Sequence, residues 1–96
     1  MTDMENYLTV KFFTVDHYIP DIKCDSVCLP VSDNSKGEFS GSYGIKKGHA
    51  RAVFSLKAGK VAVNADGEQI FVANISDGFA IVENNEVRIT VDKVEE

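Results

Sequence analysis

Long apolar runs are missing from this 96-residue sequence. None approaches the ~20 consecutive apolar residues that a transmembrane helix needs, so we expect no direct insertion into a membrane. The first six residues, MTDMEN, are polar and acidic. A secretory signal has a basic start followed by an apolar segment, so this beginning argues against secretion and favours a cytosolic protein.

Basic residues are also outnumbered, because 10 Lys and Arg stand against 15 Asp and Glu, which gives a formal net charge of −5. Binding to nucleic acid through its phosphates needs many lysines and arginines, so no nucleic-acid partner is expected. Acidic residues, in turn, are absent between Phe39 and Ala65. The basic residues of that stretch form either a solvated rim or an electropositive contact surface, and both readings stay open. They are Lys46, Lys47, Arg51, Lys57 and Lys60.

Cysteine is limited to Cys24 and Cys28. On a regular strand two residues four positions apart lie about 13 Å from each other, which is too far for a disulfide. A zinc site would need further ligands, and only His17 and His49 could supply imidazoles. No carboxylates stand at metal-ligand spacing either. We predict two reduced thiols, no metal and no cofactor.

A long amphipathic helix is not evident, and alternation of apolar and polar residues dominates instead. Asp66-Gly67 and Asn84-Asn85 sit between alternating runs, as hairpin turns do. Pro30 is expected to end a strand. The pattern predicts an all-β protein, a flattened β-sandwich or barrel of about 8–10 short strands. We expect residues 1–96 to form one domain.

The predicted core consists of the apolar residues at one parity of each predicted strand. They are Val10, Phe12, Val27, Leu29, Val53, Leu56, Val61, Val63, Ile70, Val72, Phe79, Ile81, Val87, Ile89 and Val91.

The stretch GSYGIKKGHA, residues 41–50, concentrates glycine, lysine and histidine. It lacks the G-x-x-x-x-G-K-[ST] pattern and the following helix of a phosphate-binding loop. Catalysis by His49 would need a nucleophile and an orienting partner, and no motif fixes Ser42 or Ser55 beside it. The residues alone therefore indicate a binding protein without a catalytic site.

Several fragments in order resemble the N-terminal domain of the ATP synthase epsilon subunit, called delta in mitochondria. The most specific is residues 41–50, which fits G-x-[FLY]-G-[IVL]-x-x-x-H-A. The weaker fragments are FFTV at 12–15, CDSVCLP at 24–30, LKAGKV at 56–61, ISDGF at 75–79 and the hairpin that begins at NN, 84–85. Together they cover about Leu8 to Asp92.

The resemblance implies a β-sandwich that acts as a non-catalytic subunit of the central stalk, or rotor, of a proton- or sodium-translocating ATP synthase. It implies two partners, the gamma subunit and the polar loops of the c-ring, and a position at the inner face of the plasma membrane through the complex. Docking is expected at Ser42, Tyr43, Gly44, Ile45, Lys46, Lys47 and His49. Structural turns are expected at Pro30, Gly59, Gly67 and Gly78.

Relative to the family, the segment around 32–40 looks like a loop insertion. Three positions also depart from the family pattern: Lys46 replaces an apolar residue, Arg51 a proline and Asp77 a glycine. These departures motivate an alternative, a free-standing β-sandwich module that uses the same fold to bind another protein. The family's C-terminal helical hairpin, which binds ATP or inhibits rotation, has no counterpart in the 96 residues. No nucleotide binding is therefore expected of this chain.

Overall fold

The computed structural model describes residues 7–15, 18–32 and 40–96, with only the backbone at 40 and 41. All regular structure in these residues is β-strand, as predicted, and no helix there is long and apolar enough to cross a membrane. The strands are β1 (Leu8–Phe13), β2 (Ile22–Cys24), β3 (Ser26–Ser32), β4 (Ser40–Lys46), β5 (Ala52–Leu56), β6 (Gly59–Ala65), β7 (Glu68–Ile75), β8 (Gly78–Glu83), β9 (Glu86–Val91) and β10 (Val94–Glu95).

The strands form one curled sheet whose two halves are joined at β3. In the first half, β10, β7, β6, β3 and β4 follow one another. In the second half, the order is β5, β8, β9, β1 and β2. Strand β3 pairs with β6 through Ser26–Cys28 and with β5 at Val31, and this change of partner lets the halves face each other. All neighbours are antiparallel except β1 and β9, which are parallel.

Both predicted hairpin turns are confirmed. Asp66 and Gly67 have φ values of 53° and 78°, and Asn84 and Asn85 have values of 52° and 61°. Two successive residues with positive φ define the type I′ turn, whose twist matches that of the strands it joins. Asn, Asp and Gly tolerate this conformation best, which is why these dipeptides are readable in a sequence.

The core lies between the two halves, and ten of its predicted members are buried. The prediction was wrong at Val53, Ile70, Val72 and Phe79, which are exposed, while Ile81 is half-buried. In β8 the inward positions belong to Ala80 and Val82. Both parities of this strand are apolar, so alternation alone could not choose the buried face.

A bulge explains the error in β7. Val63 pairs with Phe71 and Asn64 with Gln69, which leaves Ile70 as an extra residue without a partner in β6. An extra residue reverses the parity of the strand on either side of it. Ala73 and Ile75 therefore turn inward instead.

Pro30 does not end a strand, contrary to the prediction: it lies inside β3, opposite Ser42. Its carbonyl accepts a 2.9 Å hydrogen bond from the Lys57 N–H, so its ring nitrogen also faces β5 and not β4. The missing N–H thus falls where β3 changes partner, and no bond to β4 is lost.

Of the glycines predicted to form turns, only Gly67 has a positive φ. Gly59 and Gly78 begin strands, and at both positions neighbouring atoms leave no room for a side chain. A Cβ on Gly59 would lie 2.9 Å from the Pro30 Cβ, and one on Gly78 would overlap the Thr90 carbonyl oxygen. The predicted insertion at 32–40 falls outside the described residues except for Ser32 and Ser40, whose backbones pair.

Candidate functional site

The GSYGIKKGHA stretch forms a strand and a short turn. Strand β4 pairs with β3 along its whole length, from Ser40 opposite Ser32 to Lys46 opposite Ser26. The turn is confined to Lys47 and Gly48, and Gly48 has a φ of 83°. The glycines of β4 therefore lie within a regular strand.

His49 is held by both of its ring nitrogens. Nδ1 lies 2.7 Å from the Ala50 carbonyl oxygen, and Nε2 lies 3.2 Å from the Tyr43 hydroxyl. A carbonyl only accepts, so Nδ1 carries the hydrogen and the Tyr43 hydroxyl donates to Nε2. Phe54 completes the group, with ring centroids 4.9 Å from Tyr43 and 6.0 Å from His49. The imidazole is thus a structural link between β4 and β5.

The turn after β4 is also attached to the β8–β9 hairpin. The Gly48 N–H donates a 2.7 Å hydrogen bond to Oδ1 of Asn85. An open polar cleft of about 420 Å³ lies between the two turns. Its lining is Gly48, His49, Arg51, Glu83, Asn84 and Asn85. Two motifs read separately in the sequence therefore form one end of the molecule.

The predicted docking residues divide into three groups. Ser42, Gly44, Lys46 and Lys47 are exposed. Tyr43 and His49 are half-buried and bonded to each other. Ile45 is fully buried in the core, opposite Val27, so its side chain offers no contact on the surface.

The basic residues of the acid-free stretch lie at opposite ends of β5. Arg51 precedes this strand and Lys57 follows it, so their backbones are about 20 Å apart at the rise of an extended chain. Lys46 and Lys47 lie at the Arg51 end. The stretch therefore supplies one basic end of three residues and does not form a single surface.

An apolar patch that the sequence assignment missed lies on the outer face of the second half. Val53 is 70% exposed, Phe13 50% and Phe79 43%. Val53 lies opposite Ile81, and Phe79 and Phe13 both lie opposite Thr90 from either side. We call Val53, Phe79, Ile81 and Phe13 the outer apolar face. The sequence does contain a sign of this patch, because β5 and β8 carry apolar residues on both faces.

The charges beside the outer apolar face are paired with each other. Lys11 Nζ is 2.6 Å from a carboxylate oxygen of Asp21, and this hydrogen bond raises the pKa of Lys11. Arg88 Nε is 3.1 Å from a carboxylate oxygen of Glu86. A partner that covers this face would meet apolar side chains and charges that already have counter-ions.

The thiols differ in their surroundings. Cys24 is buried and its Sγ donates a 3.4 Å hydrogen bond to the Leu8 carbonyl oxygen, while Cys28 is half-buried. Burial raises the pKa of the Cys24 thiol to about 11, and nearby Asp25 adds to the shift. Both thiols are free, as predicted, and no three His, Cys, Asp or Glu residues of the described part are grouped so that they could hold a metal ion.

Comparison with known families decides where this fold belongs. The family model of the ATP synthase delta/epsilon chain, beta-sandwich domain, matches residues 7–96. The chain belongs to this family. The resemblance noted in the sequence is thereby confirmed.

Curated relatives of this delta/epsilon-family chain include ATP synthase epsilon chains of cyanobacteria. The one from Synechococcus sp. (strain JA-2-3B'a(2-13)) is 36% identical over 88 residues, which cover 92% of this chain and 58% of the relative. The one from Thermosynechococcus vestitus is 34% identical with the same coverage. The chain thus spans a little over half the length of the relatives it matches.

Solved structures support the delta/epsilon-type fold. A chain of the Euglena gracilis mitochondrial ATP synthase, from a structure that includes the c-ring, superposes with a TM-score of 0.74 at 22% identity and covers 93% of this chain and 52% of its own length. A chain from the central stalk and c-ring of the Tetrahymena thermophila enzyme gives a TM-score of 0.67 at 16% identity, over 92% of this chain and 65% of its own.

Proposed function

We propose that the chain is a non-catalytic subunit of the central stalk of a rotary ATP synthase, which docks the gamma subunit to the c-ring and supports the coupling of ion flow to ATP synthesis. The observation that carries this proposal is the family match, which extends over residues 7–96. The same proposal places the protein in the cytoplasm, peripheral to the inner face of the plasma membrane through the complex.

The outer apolar face is the surface that we assign to the gamma subunit. Contiguous exposed apolar side chains on a soluble domain mark sites of protein association. Val53 and Phe79 are large and exposed, and the neighbouring Lys11 and Arg88 each form an ion pair with a carboxylate. Covering this face would remove apolar area from water without stranding a charge, which is the favourable case for a stable interface.

The β4 side of the molecule is the surface that we assign to the polar loops of the c-ring. Ser42, Gly44, Lys46 and Lys47 are exposed there. Tyr43 and His49 contribute by holding the strand and the turn in place. Ile45 anchors β4 from the core side and is not itself a contact.

A catalytic role for His49 has little geometric support. A general base needs a free ring nitrogen within reach of a reacting group. Here Nδ1 donates to the Ala50 carbonyl and Nε2 accepts from Tyr43. The proposal therefore includes neither a reaction nor a bound cofactor or nucleotide.

The test is complex formation between the purified chain and a gamma subunit at low salt, followed by size-exclusion chromatography and titration. We expect a one-to-one complex that Phe79→Glu weakens at least tenfold. Ile70→Glu is the matched control, because Ile70 is exposed to a similar degree on the other half-sheet. Equal effects of the two variants would overturn the assignment of the gamma surface. Failure to bind gamma, with binding to another cytosolic protein, would instead favour the free-standing interaction module.

A further inference from the structure

Strand β4 is an edge strand among the described residues. It pairs with β3 on one side, and no other described strand pairs with it. It is seven residues long, and the described edges at β2 and β10 are only three and two residues long. A long edge without proline or a bulge is a template for pairing with another chain unless something covers it.

The hydrogen-bond pattern identifies which residues of β4 face outward. The Pro30 carbonyl bonds to Lys57 on the β5 side, so the backbone polar groups of Pro30 point away from β4. In an antiparallel pair, residues opposite each other either exchange both hydrogen bonds or neither. Ser42, opposite Pro30, therefore directs its N–H and C=O outward, and so does Gly44, opposite Cys28. Tyr43 and Ile45 bond to β3.

No described residue covers this edge of β4. Ser42 and Gly44 are both exposed, and a Cβ built on Gly44 would have no atom within 4 Å. Behind Gly44 the outer face of this half continues through Cys28 and Ala62, which are also small residues. A large side chain on an added strand could lie across this shallow depression, as aromatic residues do beside glycines in sheets.

Charge indicates the chemistry of the added strand. Lys46 follows Gly44 at the same parity and is exposed, and exposed Arg51 lies just beyond the turn. Glu83 lines the same cleft as Arg51, but neither Lys46 nor Arg51 forms an ion pair with another described residue. A carboxylate on the added strand opposite Lys46 would therefore meet positive charge.

We infer that the outward edge of β4 receives an extended segment of a partner polypeptide as an additional β-strand. The N–H and C=O groups of Ser42 and Gly44 bond to the backbone of this segment. The segment carries a large apolar or aromatic residue beside Gly44 and, two residues away, an aspartate or glutamate beside Lys46. Recognition by strand addition takes its affinity from the backbone and its selectivity from alternate side chains.

This inference rests on the proposed function for the location of the partner and extends it, because docking at β4 then depends on backbone groups. The first measurement is amide hydrogen exchange by NMR on the free chain. We expect the Ser42 and Gly44 amides to exchange rapidly and the Tyr43 and Ile45 amides to be protected. Protection at all four positions in the free monomer would overturn the inference.

The second measurement is a pair of substitutions at one position. Ser42→Pro removes the outward N–H without removing a bond to β3, and Ser42→Ala removes only the hydroxyl. The probes are c-ring-containing membranes, the partner that the proposed function places at β4, and a ten-residue synthetic peptide, Ac-TVTVTFTETV-amide, with its Glu→Lys version as control. A gamma subunit, which we assign to the outer apolar face, is the probe whose binding should not change. We expect Ser42→Pro to weaken binding of the c-ring membranes and of the acidic peptide at least tenfold, and Ser42→Ala to weaken it less than twofold. Thermal melting of both variants checks that the fold is retained.

The outcomes separate this inference from the proposed function. Suppose that gamma and the c-ring membranes both bind, that Ser42→Pro and Ser42→Ala bind the c-ring membranes equally well, and that the Ser42 and Gly44 amides still exchange rapidly. The strand-addition inference then fails, and the proposed function stands. If no rotor component binds but the acidic peptide does, with the predicted loss in Ser42→Pro, the reverse holds. If the free chain dimerises with those two amides protected, the occupant is a second copy and the acidic partner is wrong. Equal binding of the Glu and Lys peptides overturns the charge assignment.

Discussion

The backbone N–H of Gly48 donates a 2.7 Å hydrogen bond to the side-chain oxygen of Asn85, 37 residues further along the chain. Gly48 has a φ of 83° and Asn85 a φ of 61°, so each residue of this pair occupies the left-handed region. The bond joins the β4–β5 turn to the β8–β9 hairpin. It therefore fixes the basic end of the molecule relative to the second half-sheet.

Removing the Asn85 side chain should loosen this connection. Asn85→Gly keeps the positive φ accessible but deletes the oxygen that accepts from Gly48. We expect a loss of about 1 kcal/mol in the free energy of unfolding, measured in urea. Asn84→Gly is the control in the same turn and should change stability by less than about 0.5 kcal/mol. Equal losses would mean that the stability depends on the conformation of the turn and not on the hydrogen bond to Gly48.

The same substitution should cost much stability at one glycine and little at another. Gly78→Ala places a Cβ in steric overlap with the Thr90 carbonyl oxygen, so β8 and β9 would have to separate. We expect a loss of about 3 kcal/mol or more, or failure to fold. Gly44→Ala meets no atom within 4 Å and should cost less than about 0.5 kcal/mol. Thermal or urea unfolding of the two variants measures the difference. Equal stabilities would contradict the close packing of Gly78 against β9.

The Tyr43 hydroxyl and the His49 ring should be energetically coupled. Tyr43→Phe keeps the aromatic ring against Phe54 but removes the donor to Nε2, so we expect a loss of about 1 kcal/mol. His49→Ala should make the Tyr43→Phe change smaller, because the acceptor is already gone. A double-mutant cycle in urea measures this difference, and strictly additive losses would contradict the hydrogen bond.

The Cys24 thiol should make stability depend on alkaline pH. Its pKa is raised by burial from 9.0 to about 11 in the folded protein. Between these values the folded protein retains a proton that the unfolded chain has lost, so its stabilising contribution is complete below pH 9 and disappears as the pH rises to about 11. We expect the stability of the wild type to fall more steeply than that of Cys24→Ala over this range. Parallel curves would contradict the shift.

The two thiols should also react at different rates. Cys28 is half-buried on the outer face of β3, whereas Cys24 is 1% exposed. With an aromatic disulfide reagent at pH 8, we expect one thiol per folded chain to react quickly and two in denaturant. Cys28→Ser should abolish the fast reaction. A fast reaction that persists in this variant would show that Cys24 is accessible.

Much of the fold was predictable because its signals are local. The turns at Asp66-Gly67 and Asn84-Asn85 need residues that tolerate positive φ, and the alternation at Val87, Ile89 and Val91 reports a strand with one buried face. Local patterns could not choose between the faces of β5 and β8. That choice depends on which neighbouring strands lie opposite, so Val53 was placed inside and Ala80 was overlooked.

The candidate site was predictable in composition but not in arrangement. The family motif predicts docking at residues 41–50, and most of these residues are at the surface. The burial of Ile45 and the regular pairing of the glycine-containing strand follow from its register with β3, which no single segment encodes. The contact of Gly48 with Asn85 likewise depends on the order of strands in the sheet.

The most direct test of the rotor assignment is the composition of the native ATP synthase. The complex would be purified from membranes through a tag on its gamma subunit, and the amount of this chain relative to gamma would be determined by quantitative mass spectrometry. We predict one copy of the chain per gamma, retained together with the c-ring. Absence of the chain from the intact complex, with its recovery in a different assembly, would contradict it.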